Sequence, residues 1–314
     1  MEAIVTLTAN PAIDVCTSTE EIAPARKLRC AAARRDAGGG GINVARVARR
    51  LGSEVAAIYP AGGSTGALLE RLVGREGVRS VAIAVTQETR EDFTVLEQKS
   101  GNQYRFVLPG LPLAEPEWHA CLDALEAIGK VPRYVVGSGS LPPGVPADFF
   151  ARTAAIAKAG GARMVLDTSG KALAAALKGG VYLVKPNLRE LQELVHAPLP
   201  DQAERIRACR SLIETGGAEV VALTLGALGA LLVTRETVHL ARSPPIKPVS
   251  AVGAGDSFVG GMVGSLAAGH GILDAFRYGV AAGSAAVLNS GTELCHAGDV
   301  TRLYECVELV CLRC

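Results

Sequence analysis

Short apolar runs that resemble strands alternate along most of this chain with stretches of helical periodicity. The strand-like runs, rich in β-branched residues, occupy residues 3–8, 55–59, 134–137, 164–167, 181–184 and 220–225. The helical stretches fall at residues 42–51, 116–128, 148–158, 171–177, 188–195 and 201–215. Strands that are apolar throughout belong to sheets covered on both faces, and helices between successive strands make those strands parallel. The alternation predicts an α/β fold in which helices flank a parallel sheet.

Two segments, residues 26–35 and 92–108, do not fit this alternation. Both have the pattern of half-buried antiparallel strands without helices, and the second contains a turn at Ser100-Gly101-Asn102. We expect a small sheet that projects from the main one, built from excursions at about residues 12–35 and 88–110. Because no repeat or low-complexity linker interrupts the sequence, residues 1–314 are predicted to form a single α/β domain with this β lid.

Composition excludes several classes of function. The 32 Lys and Arg residues are balanced by 31 Asp and Glu, which argues against a general nucleic-acid binder. Aromatic residues make up only 4% of the chain, so stacking platforms for bases are not expected. The N-terminus has no signal-peptide pattern, and the uncharged run at 257–273 is shorter than the roughly 20 residues of a membrane span. We predict a cytoplasmic protein in which that run is a buried helix.

Eight cysteines are scattered through the chain, and in a cytoplasmic protein they are expected to be reduced thiols. The C-terminal residues Cys306, Cys311 and Cys314 could bind zinc only with a fourth ligand, for which His296 is the candidate. We favour ordinary thiols.

Two glycine clusters are the part of the sequence that indicates a ligand-binding site. The common nucleotide loops GxxxxGK[ST] and GxGxxG are both absent. The first cluster, residues 38–41, leads into Asn43 and a helix, where it could be a flexible turn or a site of close ligand approach. The second, Gly253-Ala254-Gly255, precedes Asp256 and a helix of small residues, whose free N–H groups could face a phosphate. Beside a phosphate, Asp256 is a candidate base for the proton of an attacking hydroxyl.

Residues 252–258 resemble the C-terminal signature of ribokinase-like sugar kinases, and residues 38–45 resemble their N-terminal signature. Further stretches in the same order are similar to the phosphofructokinase B family within that group. They are Thr6-Leu7-Thr8 with Asp14, Lys27-Leu28-Arg29-Cys30, Tyr104-Arg105-Phe106 and Ser138-Gly139-Ser140-Leu141-Pro142-Pro143-Gly144. The resemblance runs from residue 7 to at least residue 294. It implies a ribokinase-like three-layer sheet with a β lid, and an ATP-dependent kinase acting on the C1 hydroxyl of fructose 6-phosphate.

The resemblance also implies a role for each matching residue. Asp256 would be the catalytic base, and Gly253, Ala254 and Gly255 would form the anion hole. The sugar phosphate would be held by Asp14, Lys27, Arg29, Gly39, Asn43, Arg90 and Ser140. ATP would be held by Lys185, Asn187, Thr224, Gly226, Gly229, Ala282, Gly283 and Asn289. Glu190 would bind Mg²⁺ through water, and carbonyls around Ser250, Val252, Ala286 and Asn289 could bind K⁺. The family further implies a homodimer joined through the lids, with Lys27 and Arg29 reaching the neighbouring sugar site.

Several alternatives stay open. Asp14 could be a plain turn residue, Asn43 could pack within its helix, Ser140 could be a simple loop serine, and Asn187 could start an ordinary helix. Glu293 stands where the most similar branch of the family has arginine, which leaves K⁺ activation open. Tagatose 6-phosphate or fructose 1-phosphate could be the substrate instead. A non-catalytic sugar-phosphate-binding protein is a further alternative, although it would have no need of a base at Asp256.

Overall fold

The computed structural model describes residues 3–129 and 131–312, and its strands form two sheets. The strands are β1 (Ile4–Leu7), β2 (Ala12–Thr19), β3 (Arg34–Gly38), β4 (Val55–Ala61), β5 (Arg79–Ala84), β6 (Arg90–Glu97), β7 (Gln103–Phe106), β8 (Tyr134–Ser138), β9 (Arg163–Asp167), β10 (Val181–Val184), β11 (Ala218–Thr224), β12 (Ala230–Val233), β13 (Val238–Arg242) and β14 (Glu308–Leu312). The helices are α1 (Gly40–Arg50), α2 (Gly63–Arg75), α3 (Glu115–Glu126), α4 (Phe149–Ala159), α5 (Gly170–Gly179), α6 (Leu188–Val195), α7 (Gln202–Glu214), α8 (Ala254–Ala267), α9 (Ile272–Ala286) and α10 (Ala297–Tyr304), with one 3₁₀ turn at Gly226–Leu228.

The main sheet has ten strands in the order β14-β13-β12-β11-β10-β9-β8-β1-β4-β5. From β11 to β5 all neighbours are parallel, whereas β12, β13 and β14 are added antiparallel at one edge. Ile4 and Val5 are consecutive in β1, and both are fully buried, in two different apolar clusters. Because consecutive strand residues point to opposite faces, both faces of the sheet are covered. The predicted three-layer α/β architecture is confirmed.

The helices divide between the two faces of this sheet. The cluster that contains Ile4 includes side chains of α1, α2, α8, α9 and α10, and the cluster that contains Val5 includes side chains of α3 to α7. The prediction of one buried helix at 257–273 is correct only for residues 257–266, which are buried in α8; α8 ends at Ala267, the following residues are exposed, and α9 begins at Ile272. Between them Gly269 has φ +95°, a conformation that glycine adopts without strain. None of the helices in the described ranges is both long and apolar enough to cross a bilayer.

The second sheet is the β lid, with strand order β3-β2-β6-β7. β2 and β6 are parallel, and β7 returns antiparallel to β6 after the predicted turn. The predicted strand at residues 26–35 is wrong, because β3 begins only at Arg34. The inner strand β2 lies within the predicted excursion at 12–35, at residues where no strand was predicted. Residues 26–33 are exposed. They contact β2 through isolated hydrogen bonds such as that from Ala31 N–H to Ser18 O, at 2.8 Å. They do not form a strand, because their charged side chains favour solvent over burial in a sheet.

Candidate active site

The candidate site lies at the carboxyl ends of the parallel strands, where α/β sheets bind ligands. Asp167 ends β9, Lys185 directly follows β10, and the two side chains form an ion pair with 3.0 Å between Lys185 Nζ and Asp167 Oδ1. The first turn of α8 lies against this pair, since a Cβ built on Gly255 would be 3.6 Å from Lys185 Nζ. The main sheet and α8 therefore bring a buried ammonium group to the start of a helix.

The start of α8 depends on the backbone of its glycines. Gly253 precedes the helix with φ +73°, and a side chain there would collide with Leu294. The carbonyl of Gly253 accepts the N–H of Ser257 at 2.8 Å, so the N–H groups of the preceding residues have no partner within the helix. Together with the helix dipole and the ammonium group of Lys185, these N–H groups make a cradle suited to an anion.

Asp256 lies in the first turn of α8 and is partly buried. Its Oδ2 accepts a hydrogen bond of 2.9 Å from Asn43 Nδ2. Burial and the charge of Asp167 raise the pKa of Asp256 to about 6, against the opposing effects of Asn43, Lys185 and Arg105. A carboxylate of this kind is ionised at neutral pH and still basic enough to accept a proton from a hydroxyl beside the anion cradle.

Lys185 is 5% exposed, so its charge must be balanced by neighbours. Burial by itself lowers the pKa of Lys185, but Asp167, Glu190 and Asp256 raise it above its ordinary value. The ammonium group therefore stays protonated in a buried position, where its attraction for a phosphate group is screened little by solvent.

The lid contributes a row of acidic residues to the same region. Asp14 on β2 is in register with Asp36 on β3 and with Asp92 on β6, so the three side chains share one face of the lid sheet. The pKa of Asp14 is raised to about 7. Burial has the largest effect, the charges of Asp92 and Asp256 act in the same direction, and those of Arg46 and Arg105 oppose it. A Cβ on Gly38 would collide with the Asp14 carboxyl, which explains glycine at that position. A carboxyl group held beside Asp256 in this way suits a ligand with hydroxyl groups.

Arg90 lies at the base of the lid, with its side chain 10% exposed. Its Nη1 donates to both carboxylate oxygens of Asp92, at 2.9 and 2.8 Å, and to Leu108 O at 2.9 Å. Its Nε is buried, and no residue in the described ranges accepts a hydrogen bond from it. Arg90 lines a small cavity of about 30 Å³ together with Asn10, whose Nδ2 donates to Ser140 Oγ at 2.9 Å. Arg90 and Asn10 thus line one cavity, and Asn10 connects it to Ser140 through a hydrogen bond.

Lys27 and Arg29 are not part of this cluster. Both are exposed in the irregular segment between β2 and β3. Thr19 donates to the backbone carbonyl of Arg29 at 3.2 Å, but within the described residues neither basic side chain has a hydrogen bond or an ion pair. Gly39, by contrast, lies at the start of α1 with φ +105°, where a Cβ would be 3.0 Å from Pro11 Cα.

On the predicted nucleotide side, Asn187 and Glu190 form a capping box at the start of α6. Asn187 Oδ1 accepts the N–H of Glu190 at 2.9 Å, and Glu190 Oε2 accepts the N–H of Asn187 at 2.8 Å. Burial raises the pKa of Glu190, and Asp167 adds to this, while Asn187 and Lys185 oppose it. The ordinary helix-start interpretation of Asn187 therefore holds locally, and Glu190 still lies within the electrostatic reach of Lys185 and Asp167.

The turn after β11 lies next to this helix start. Thr224 pairs with Asn187 in an isolated bridge, and its N–H donates to Pro186 O at 3.0 Å. The 3₁₀ turn follows, with φ +60° at Gly226 and φ +98° at Gly229. A side chain at Gly229 would collide with the backbone of β13, so this glycine is needed for packing as well.

The remaining predicted residues lie on or near α9. Ala282 is fully buried against Gly261 of α8, and Gly283 lies close to the carbonyl of Ala254 in the first turn of α8.

The residues predicted to surround K⁺ lie around the end of α9. The N–H groups of residues 249 and 250 both donate to the carbonyl of residue 287, at 2.7 and 3.2 Å, and the N–H of Asn289 donates to Ala286 O at 3.1 Å. Ser250 accepts the N–H of Val252 at 3.2 Å. The four residues predicted to surround K⁺, Ser250, Val252, Ala286 and Asn289, therefore meet at the end of α9.

Sequence reasoning missed Asp167, Asp92, Arg105 and Arg46. Asp167 ends a strand that was predicted correctly, and its place at the carboxyl edge of a parallel sheet was a usable signal. Arg105 lay within a stretch that resembles the family but received no role. Arg46 is a charged residue on the otherwise apolar face of α1, one turn after Asn43, which was also a readable signal.

The cysteines show no metal site or crosslink in the described part of the chain. Seven of them lie there as free thiols, and Cys314 lies outside it. No three His, Cys, Asp or Glu side chains come together there in a way that could hold a metal ion.

Comparison with known proteins links this geometry to a family. The model of the pfkB family carbohydrate kinases matches residues 4–297. The ATP-dependent 6-phosphofructokinase isozyme 2 of Mycobacterium tuberculosis is 46% identical over 302 residues, covering 96% of this chain and 89% of that protein. The crystal structure of phosphofructokinase-2 from Escherichia coli in complex with potassium has a TM-score of 0.93 and 42% identity, covering 97% of this chain and 99% of that one. The same enzyme in complex with fructose-6-phosphate has a TM-score of 0.91 and 41% identity, with the same coverage.

Proposed function

The chain belongs to the pfkB family of carbohydrate kinases, and from this premise we propose that it transfers the γ-phosphoryl group of ATP to the C1 hydroxyl of fructose 6-phosphate, giving fructose 1,6-bisphosphate. The observation that carries the proposal is the partly buried carboxylate of Asp256 at a glycine-bounded helix start that lies against the ammonium group of Lys185. The similarity to an ATP-dependent 6-phosphofructokinase isozyme over nearly the whole chain supports the choice of substrate.

The reaction needs a base and a place for the charge of the moving phosphoryl group. Asp256 accepts the proton of the C1 hydroxyl as the oxygen attacks the γ-phosphorus in line, and the bond to the β-phosphate oxygen breaks. The N–H groups of Gly253, Ala254 and Gly255, together with Lys185, stabilise the negative charge during transfer. A pKa of about 6 keeps Asp256 ionised at neutral pH, which this role requires.

The lid and the base of the sheet bind the sugar in this proposal. Asp14 and Asn43 hold hydroxyl groups close to Asp256, and Gly39 lets the backbone approach the sugar. The other end of the substrate carries the phosphate, and the guanidinium group of Arg90, which lines the cavity at the base of the lid, is the group that meets it, with Ser140 nearby through Asn10. A guanidinium group suits a phosphate because it offers several donors in one plane. Lys27 and Arg29 would come to this phosphate from a second copy of the chain.

The nucleotide lies between the β11 turn and the end of α9 in this proposal, bound by Lys185, Asn187, Thr224, Gly226, Gly229, Ala282, Gly283 and Asn289. Ala282 is buried between α8 and α9, so it would act by letting these helices pack closely rather than by contact through its side chain.

Glu190 is the residue that would hold Mg²⁺, through water. The fit rests on its raised pKa: burial and the nearby charge of Asp167 make a bound cation favourable there. When bound with ATP, the ion would neutralise part of the triphosphate charge. K⁺ would be held by the carbonyl groups of Ser250, Val252, Ala286 and Asn289, since carbonyl oxygens suit a hard cation. Assays in which Na⁺ replaces K⁺ measure that dependence directly.

A substrate panel tests the proposed function. ADP release is measured with fructose 6-phosphate, tagatose 6-phosphate, fructose 1-phosphate and free fructose. We expect the highest kcat/KM with fructose 6-phosphate, because Arg90 has no anion to bind in free fructose. Free fructose turning over as well as its 6-phosphate would overturn the proposal, and an absence of ADP release with every sugar would leave the non-catalytic alternative.

The role of Arg90 is tested in the same assay. Arg90→Ala should raise KM for fructose 6-phosphate by roughly 10- to 100-fold, the range expected for losing a charged hydrogen bond, and barely change KM for ATP. Arg71→Ala is the control, because Arg71 is an exposed arginine on α2. Equal effects of the two substitutions would contradict the assignment.

A further inference from the structure

Arg46 is a charged residue that has no role in the proposed reaction. It is only 1% exposed, so its charge must be balanced by neighbouring groups. Its Nε donates to Glu76 Oε1 at 3.0 Å, and its Nη2 lies 3.0 Å from the same oxygen and 3.8 Å from Asp36 Oδ1. Its Nη1 donates to Ala37 O at 2.7 Å and to Asn43 Oδ1 at 3.1 Å. Two acidic residues thus balance the charge of Arg46, and one of its donors is directed at the residue that contacts Asp256.

The contact with Arg46 fixes the orientation of the Asn43 side chain. A guanidinium group can only donate hydrogen bonds, so the amide atom of Asn43 that faces it must be the oxygen. The amide nitrogen then faces Asp256 and donates to it at 2.9 Å. In the flipped orientation, N–H would meet N–H at Arg46, and the amide oxygen would meet the carboxylate of Asp256. Both hydrogen bonds would be lost.

We propose that Arg46 is a positioning residue that holds the Asn43 amide so that its N–H group, and not its oxygen, faces Asp256. Without Arg46 the amide could turn its oxygen towards Asp256, which would favour the protonated carboxyl as a donor to that oxygen. The catalytic meaning of this inference rests on the proposed function, but the orientation of the amide and its effect on Asp256 do not.

Other charged groups also act on Asp256 and must be kept apart from this effect. They are Asp167 at the end of β9, Lys185 after β10, Arg105 on β7 and, through its coupling to Asp256, Asp14 on β2. Within the described residues none of these four donates to or accepts from the Asn43 amide. Arg46 also acts on Asp14 through its charge, so removing it has an electrostatic effect that does not pass through Asn43.

The test measures the titration of Asp256 itself. Carboxyl ¹³C resonances of aspartate-labelled protein are followed with pH, and Asp256→Asn identifies the resonance of interest by its loss. In the native chain the midpoint is expected near the pKa of about 6. Arg46→Met should raise this pKa to roughly 7–8, the shift expected when a hydrogen bond to a charged group is lost. Arg50→Met is the matched control, because Arg50 shares Glu76 with Arg46, at 2.6 Å, but has no contact with Asn43 in the described structure.

A second pair of variants separates the effect of the Asn43 amide orientation from the effect of the Arg46 charge. In an Asn43→Ala background, Arg46→Met should shift the Asp256 midpoint much less than it does in the native background, because there is no amide left to turn and only the electrostatic effect through Asp14 remains. A shift of equal size in that background, or no shift of Arg46→Met relative to Arg50→Met, would overturn the proposal. Should Arg46→Met fail to fold, Arg46→Lys retains the charge beside Glu76 without the forked donors, and the same midpoint comparison applies.

The pH dependence of kcat/KM is a second measurement, and a purely structural role of Arg46 would not shift it. With fructose 6-phosphate, the acidic limb of kcat/KM against pH should move up for Arg46→Met, giving roughly two- to tenfold lower activity at pH 7 and recovery towards pH 9. A uniform loss at every pH would count against the inference. Because the titration is followed without substrate, failure of the native chain to release ADP would overturn the proposed function alone.

Discussion

At the residue scale, the proposed role of Asp256 as a base depends on two opposing effects on its pKa: removal from solvent raises the pKa, and the donors around the carboxylate limit that rise. Burial and Asp167 raise its pKa, and Asn43, Lys185 and Arg105 hold that rise to about 6. An isolated buried carboxylate would be protonated at neutral pH and could not accept a proton. The function of Asp256 therefore depends on groups from α1, β7, β9 and the segment after β10, and not on α8 alone.

Replacing this carboxyl should separate binding from turnover. Asp256→Asn is expected to lower kcat by roughly 10²–10⁴-fold, the usual effect of losing a general base, and to leave KM for fructose 6-phosphate nearly unchanged. The measurement is steady-state ADP release by the purified variant. Asp123→Asn serves as the control, since Asp123 is exposed on α3. Near-normal turnover of Asp256→Asn would show that another group takes the proton.

The same substitution has a consequence for stability. The pKa of Asp256, at about 6, and that of Asp14, at about 7, both lie above 3.8, the ordinary value for an aspartate side chain. The folded state therefore binds protons that the unfolded state releases, and the free energy of unfolding should fall as pH rises through 6 to 7. Removing the charge in Asp256→Asn should accordingly raise Tm at pH 8 more than at pH 5. The opposite pH dependence would contradict the raised pKa.

At the scale of elements, β3 is tied to the segment that follows α9. Thr292 is 2% exposed, and its hydroxyl donates to Asp36 Oδ2 at 2.8 Å. Arg34 joins the same group, donating to Asp36 at 2.9 Å, to Glu293 Oε2 at 3.0 Å and to Ser290 O at 3.1 Å. Glu293, the residue that departs from the family pattern, is thus part of an ion pair that links the lid to the main body.

The two kinds of contact should differ in strength. Thr292→Val removes a buried donor while keeping the side-chain shape, and we expect it to lower the free energy of unfolding by about 1–2 kcal/mol. Glu293→Gln breaks an ion pair whose partners are 41% and 35% exposed, and we expect a loss below about 1 kcal/mol. Urea denaturation of the two variants measures both. A larger loss for Glu293→Gln would mean that the ion pair, and not the buried hydroxyl, fixes β3.

The elements also show where sequence reasoning succeeds. The strands β4, β8, β9 and β10 were predicted within two residues, because apolar runs buried on both faces have a clear pattern. β2 had a readable pattern as well, with Ile13 and Val15 on one face and Asp14 on the other. It was missed because the basic segment after it was predicted as the strand. Residues 26–33 have the sequence pattern of a half-buried strand, but in the structure they are exposed and form no strand.

At the scale of the whole molecule, the candidate site forms where five distant parts of the sequence meet: α1, β7, β9, the residue after β10 and the start of α8. The glycine signatures predicted Asp256 and Asn43, because their spacing is local to one turn and one helix. Asp167 and Arg105 act on Asp256 from β9 and β7, and that proximity depends on how the lid and the main sheet are placed. Sequence spacing does not contain such information, so the pKa of Asp256 could not be predicted from its own motif.

The two faces of the lid differ in character. Asp14, Asp92 and Asp36 share the face that carries the site residues. On the other face, Val95 is in register with Tyr104 and Phe93 with Phe106, and Tyr104 and Phe106 are 36% and 52% exposed. An apolar sheet face of this kind tends to be covered by a partner. Lys27 and Arg29, which have no side-chain partner in the described protomer, lie in the same lid. A second copy would explain both observations.

We therefore predict that the active enzyme is a homodimer joined through its lids, and that affinity for fructose 6-phosphate depends on assembly. Val95→Asp places a charge on the apolar lid face and should yield monomers with weak sugar binding and sharply reduced activity, because Lys27 and Arg29 would no longer reach the neighbouring site. Val131→Asp is the matched control, since Val131 is 53% exposed outside the lid and should change neither assembly nor KM. Sedimentation velocity at the assay concentration measures the oligomer. A fully active monomer would refute the shared site, whereas a dimer of Val95→Asp with normal KM would place the interface elsewhere.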